Sequence, residues 1–115
     1  MPGKNDIAVF LADIERSIRE IFAFLPAEMD FPAFQKDLKT RKAVERNIEI
    51  IGEAMSRILK INPQFPIENA RKIVDTRHRI IHGYDTVSEE ILWTVIANDL
   101  PGLQQQVKKL MLKGA

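Results

Sequence analysis

No cysteine occurs in the 115 residues of this chain, which excludes disulfide staples and thiolate metal sites. That fits a reducing cytoplasm, the location expected for the protein. Long hydrophobic runs are missing as well: no apolar segment approaches the roughly 18 residues that a membrane-spanning helix needs. The opening stretch MPGKNDIAVF has no sustained apolar run after Lys4, so no secretory signal is expected. An excess of either charge is also lacking. With 17 Lys and Arg against 16 Asp and Glu the net charge is +1, so nucleic-acid binding would have to rest on a local patch. Repeats, low-complexity tracts and strand-like alternation are absent too. What remains is an ordinary globular composition, 45% apolar and 29% charged, long enough to bury a core as one domain over residues 1–115.

The glycines and prolines punctuate a helical pattern. Ile7, Phe10, Leu11, Ile14, Ile18, Ile21, Phe22 and Leu25 recur at steps of three and four, a buried stripe that Pro26 ends. PAEMDFPAF reads as a connector with room for a short turn. A long helix is expected next, from Phe34 or Leu38 to Leu59. Val44, Ile48, Ile51, Met55 and Ile58 form one ridge of it, and Ala43, Ile50, Ala54 and Ile61 a second ridge alongside. A surface that wide implies two neighbours, either within the chain's own bundle or with a second subunit as one of them. NPQFP breaks the chain before a third helix from Ile67 to His82, with Gly83 placed at the left-handed position after the cap. TVSE, Thr86 to Glu89, has capping-box spacing and opens a fourth helix to Leu112 that Pro101 should kink or split. Lys108, Lys109 and Lys113 suit the dipole at its end without any ligand. The fold class is all-α, an antiparallel four-helix bundle.

The chemistry concentrates in RHRIIHGY, residues 77–84. Wound as a helix, the third segment puts Ile67, Ala70, Ile73, Val74, Ile80 and Ile81 in one arc with Arg77 near its middle. A buried unpaired charge costs several kcal/mol, roughly, so Arg77 needs an anionic partner or an opening onto a cleft. Glu49 and Glu53 of the preceding helix are the natural candidates. His78 and His82 fall on the border of the apolar face, where water access lets an imidazole titrate near neutral pH. Asp75, His78 and His82 share a ridge, so Asp75 could orient an imidazole, or the three could bind a metal. HRIIH has the spacing of a zinc pair, but Arg79 stands where the metalloprotease motif carries its glutamate. Arg77 and His82 point in different directions from one helix. Two copies facing across a two-fold axis could bring the arginine of one to the histidine of the other, which predicts a symmetric dimer with a composite site. Arg71 to His82 carries four basic residues against one acid, so paired segments would line a positive groove.

An arginine, four residues, a histidine, one residue and a tyrosine resemble the signature of the HepT-like toxins, a branch of the HEPN ribonuclease superfamily. The residue after the arginine is typically polar there, as His78 is. The similarity runs from about Asp37 to Leu103. It takes in AVERNIEIIGEA (Ala43 to Ala54) and EILWTVIANDLPGL (Glu90 to Leu103), which look like the family's second and fourth helices. The resemblance implies a homodimeric endoribonuclease that needs no metal or other cofactor, with RNA as substrate and tRNA among the candidates. It implies that His82 moves protons, Arg77 holds the phosphate and His78 assists. It further implies a partner, an MntA-like nucleotidyltransferase antitoxin that attaches AMP to Tyr84.

Two other readings use the same residues. A non-catalytic HEPN-like dimer could engage a nucleotide or the nucleotidyltransferase through this motif, and a metal-dependent hydrolase could use Asp75, His78 and His82. Activity in excess chelator separates the second from the ribonuclease. Loss of toxicity on changing His82 separates the first.

Overall fold

Two aspartates set where the longest helix begins. Asp30 caps a short helix by accepting from the Ala33 N–H at 2.9 Å, and Asp37 both ends that helix and caps the next. Its N–H donates to the Phe34 carbonyl, while its carboxylate accepts from the Thr40 N–H at 3.0 Å and the Thr40 hydroxyl at 2.7 Å. The computed structural model describes residues 4–82 and 89–113, with side chains described over 6–80 and 89–113. Its helices are α1 (Lys4–Phe24), α2 (Phe31–Lys36), α3 (Leu38–Ile61), α4 (Ala70–His82), α5 (Glu89–Thr94) and α6 (Leu100–Leu112), the last two joined by a π-helical turn at Val95–Asp99. No strand occurs among the described residues. The expected all-α bundle is what forms: α1, α3, α4 and the α5–α6 rod are its four members, and the connector contributes α2.

The predicted ridges form the core. Ile7, Leu11, Ile14, Ile18 and Ile21 of α1 are buried against Val44, Ile48, Ile51, Met55 and Ile58 of α3. Phe22, expected in the same stripe, is 37% exposed, since it follows Ile21 around the helix and leaves the shared face. The α2 connector matters more than a turn would. Phe34 is fully buried, with its ring 5.2 Å from Trp93 of α5, and Phe31 lies 6.2 Å from the same indole.

One boundary departs from the sequence pattern and another follows it. Ile67 is buried but not helical. Asn69 takes φ +61°, a left-handed conformation that asparagine tolerates, so α4 begins at Ala70. Pro101 interrupts the α-helical ladder of the last rod, within the expectation that it would kink or split the helix. It lacks an N–H and its ring crowds the preceding turn, and the chain answers by widening into a π turn in which the Leu100 N–H donates to the Val95 carbonyl. The Gly83 cap and Thr86 of the capping box lie outside the described residues. No described helix is long and apolar enough to cross a membrane.

The molecule is flat, 43 × 31 × 19 Å. α3 is its centre, flanked by α1 and α4, and α6 packs on α1. α4 stands off from the last rod and reaches it through a Lys72–Asp99 ion pair at 3.2 Å, while the turn before α4 reaches it through a hydrogen bond from the Glu68 N–H to the Gln106 side chain at 2.9 Å.

The hydrogen bonds from Thr40 hold the Asp37 carboxyl below its ordinary value of 3.8, with Lys39 and Arg41 adding a smaller pull in the same direction. A depressed folded-state value contributes stability above 3.8 and loses it as the pH falls through the folded value. Asp37→Ala should therefore lower the melting temperature by a few degrees at neutral pH, with the gap to wild type closing as the pH drops below 3.8. Thermal melts of both proteins across pH check this.

Candidate active site

Arg77 sits where the sequence pattern put it, on the inner face of α4, and it has both of the accommodations expected for it, an anionic partner and an opening onto a cleft. Its Nη2 lies 2.6 Å from Oε2 of Glu53 on α3. Of the two candidates, Glu53 makes the bond. Glu49, one turn earlier, lines the same cleft without an ion pair among the described residues. Arg77 keeps 27% of its side-chain surface and Glu53 40%, so the charge is shielded but not sealed. A pair this open contributes ~1 kcal/mol or less to stability.

The close approach of α4 to α3 depends on Gly52. A methyl group at position 52 would overlap Cβ of Arg77 and stand 3.0 Å from its Cγ and Cδ. Gly52 is buried in the middle of a 24-residue helix, where glycine is worse than alanine by about 1 kcal/mol. The helix tolerates that cost, and the root of the arginine lies directly on the α3 backbone.

Beside this contact opens a cleft of ≈ 240 Å³ between α1, α3 and α4. Phe10 and Asp13 of α1 form one wall, and Arg46, Ile50 and Arg57 of α3 form much of the other. Glu53 also accepts from Nε of Arg57 at 2.9 Å, and the Arg57 guanidinium stands 6.0 Å over the Phe10 ring. Arg46 is exposed and has no ion-pair partner among the described residues. The cleft is therefore a site of mixed charge with arginines at its edge, suited to holding an anionic group against a guanidinium. The second α3 ridge is only partly consumed by the chain's own core. Ala54 is 4% exposed and Ile61 packs on the core, whereas Ala43 and Ile50 remain half-buried.

The remaining motif residues divide around α4. His78 and Asp75 are exposed, and Asp75 lines a second cleft, of ≈ 600 Å³, between α4 and the last rod. Arg77 and Asp75 thus face different openings. The basic run of α4 is half neutralised within the chain: Arg77 pairs with Glu53 and Lys72 with Asp99, while Arg71 and Arg79 point to solvent without an ion pair among the described residues. His82 is the last residue of α4, and its side chain lies outside the described residues, as does the whole of Tyr84. The Asp75–His78–His82 trio and the tyrosine site are accordingly not placed by this geometry. Sequence reasoning missed Gly52, Arg57 and the α1 wall. A glycine inside a helical pattern often marks close backbone approach, and Arg57 lies at i+4 from Glu53, so both carried a local signal. Phe10 was legible only as part of the buried α1 stripe, and Asp13 carried no signal.

Comparison with known proteins supplies independent evidence. The family model described as ribonuclease HepT-like matches residues 14–110, a span that contains α3, α4 and the whole RHRIIHGY motif. A protein of Methanocaldococcus jannaschii named as a candidate RNase is 34% identical over 112 residues, covering 94% of this chain and 89% of its own. A Thermococcus cleftensis protein named probable ribonuclease HepT is 35% identical over 105 residues, covering 88% and 92%. No solved structure matches the chain.

Gly52→Ala should gain helix propensity and still lose overall, because α3 and α4 must separate to admit the methyl group. A net destabilisation of ~1–3 kcal/mol is expected, read as a lowered denaturant midpoint. A variant as stable as wild type would show that the two helices do not depend on this contact.

Proposed function

The chain belongs to the ribonuclease HepT-like family, and on that premise we propose that it is the toxin of a toxin–antitoxin pair, a metal-independent endoribonuclease working as a homodimer. The observation that carries the reading is Arg77. A guanidinium is held half-shielded at the edge of a cleft, within the family's motif, on a helix whose adjoining surface still has half-buried apolar residues to offer a second copy.

The reaction follows from the chemistry of RNA. A base removes the proton of a 2′-hydroxyl, O2′ bonds to the adjacent phosphorus, and the bond from phosphorus to the 5′ oxygen of the next nucleotide breaks. The departing oxygen takes up a proton and a 2′,3′-cyclic phosphate remains. DNA lacks the attacking group, so RNA is the substrate. Arg77 pairs with the phosphate oxygens and stabilises the charge that grows on them. His82 of the partner subunit serves as acid or base across the dimer groove, because positions five apart on a helix are separated by ~140° around its axis. His78 assists in placing the RNA, and Asp75 supports an imidazole. Arg71 and Arg79, free of partners among the described residues, give the groove a local positive potential in a chain of net charge +1.

The antitoxin, a small nucleotidyltransferase of the MntA kind, neutralises the toxin by attaching AMP to Tyr84. Two residues after His82, an adenylate adds negative charge and bulk where the RNA phosphate must lie.

In excess chelator, the wild-type protein should cut RNA, with tRNA the first substrate to try. Arg77→Ala and His82→Ala should each lower the rate at least ~100-fold while sizing chromatography still finds a dimer. A wild-type protein that binds RNA and cuts none, in chelator or with added divalent metal, would instead support the non-catalytic binding module. Activity that vanishes with chelator would support the metal-dependent hydrolase. Intact mass after co-expression with the nucleotidyltransferase should rise by one adenylate in wild type and not in Tyr84→Phe.

A further inference from the structure

Glu53 lies in none of the motif positions, yet it is the residue that fixes where Arg77 can point. We propose that Glu53 is a positioning residue for the catalytic guanidinium, an inference that rests on the ribonuclease reading of the site. Its two oxygens are occupied by two different arginines: Oε2 by Nη2 of Arg77 at 2.6 Å, and Oε1 by Nε of Arg57 at 2.9 Å. A carboxylate held at both oxygens has little freedom to rotate, and Arg57 is itself seated over Phe10. Arg77 is thus fixed at both ends, at Cβ by the bare backbone of Gly52 and at the tip by Glu53.

Stability does not account for this arrangement. With 40% of the Glu53 side chain and 57% of that of Arg57 exposed, the pairs are accessible to water and worth little to the fold. The charges, however, are matched to a phosphate. The trio of Arg57, Arg77 and Glu53 carries +1, and in the rest of the cleft lining Arg46 offsets Glu49 while Asp13 is paired with Arg16 outside it, so Glu53 orients Arg77 without cancelling the attraction for an anion. If a phosphate draws on Arg77, the carboxylate keeps Arg57 as its counter-ion and is not left unpaired. The Nε of Arg77 is buried without a hydrogen-bond partner, which leaves the guanidinium held through its outer nitrogen. Its direction therefore depends on the Glu53 bond. Glu49 cannot substitute as the structure stands, because it lines the same cleft one turn away and makes no bond to the arginine.

Glu53→Gln keeps the size of the side chain and removes its charge. On RNA cleavage kinetics this variant should lose kcat roughly ten- to a hundredfold, with KM unchanged or lower because a negative charge has left the site. The dimer and the melting temperature should stay close to wild type. Glu53→Asp, which keeps the charge on a shorter arm, should recover part of the rate if it still reaches Arg77. An arm of the experiment independent of turnover is nitrogen-detected NMR of the arginine side chains. Rotation about the Arg77 Nε–Cζ bond should be restricted in wild type and fast in Glu53→Gln. Full kcat in Glu53→Gln, or an Arg77 signal equally restricted in both proteins, overturns the proposal. If wild type cuts no RNA while the restriction is still lost in Glu53→Gln, the ribonuclease reading fails and Glu53 remains the group that holds this arginine.

Discussion

The contact between the α3 backbone at Gly52 and the side chain of Arg77 is the constraint from which the rest of the site follows. Because no Cβ intervenes, α4 lies close enough for its inward-facing arginine to cross the surface of α3 and meet Glu53 one residue further along. The cleft between α1, α3 and α4 has its floor and its charge from the same approach. A larger residue at position 52 would push α4 outward, and the arginine would lose both its seat and its partner. The helix carries a glycine in its interior, and the site gains a short-range geometry that long surface side chains rarely hold by themselves.

Magnitudes separate what stabilises this molecule from what equips it. The apolar ridges of α1 and α3 bury ten large side chains almost completely (Ile7, Leu11, Ile14, Ile18, Ile21, Val44, Ile48, Ile51, Met55 and Ile58), each worth about 1.5–3 kcal/mol. The ion pairs around Glu53 are half open to water and worth far less. The fold therefore does not need the charged cluster, which is free to serve binding and orientation. The same division holds on the opposite side of α4, where Lys72–Asp99 ties α4 to the last rod while Arg71 and Arg79 stay available to an anion.

The last rod shows how a local conflict is absorbed. Pro101 cannot donate to a preceding carbonyl, and a straight α-helix would set its ring against the turn before it. Widening to a π turn at Val95–Asp99 keeps the rod continuous, and Leu92, Val95, Ile96 and Leu100 stay buried. Trp93, on the turn before, is held by Phe31 and Phe34, so the short α2 braces the rod just ahead of its irregular turn.

The sequence by itself determined the four long helical members, most of their buried faces and the need of Arg77 for a counter-charge or an opening onto a cleft. Apolar residues at helical spacing can bury only one way round, and a charge on such a face has to be matched. The family motif was legible for the same reason, because its residues are neighbours in the chain. Sequence spacing left Glu49 and Glu53 equivalent, both a plausible reach from α4, and it offered no view of Phe10, Asp13 or Arg57 around the cleft. Which carboxylate meets the arginine depends on the separation and rotation of α3 against α4. Those are set by the fit of Gly52 against Arg77, a distance between residues 25 positions apart that no local pattern encodes. Only the packed molecule decides it.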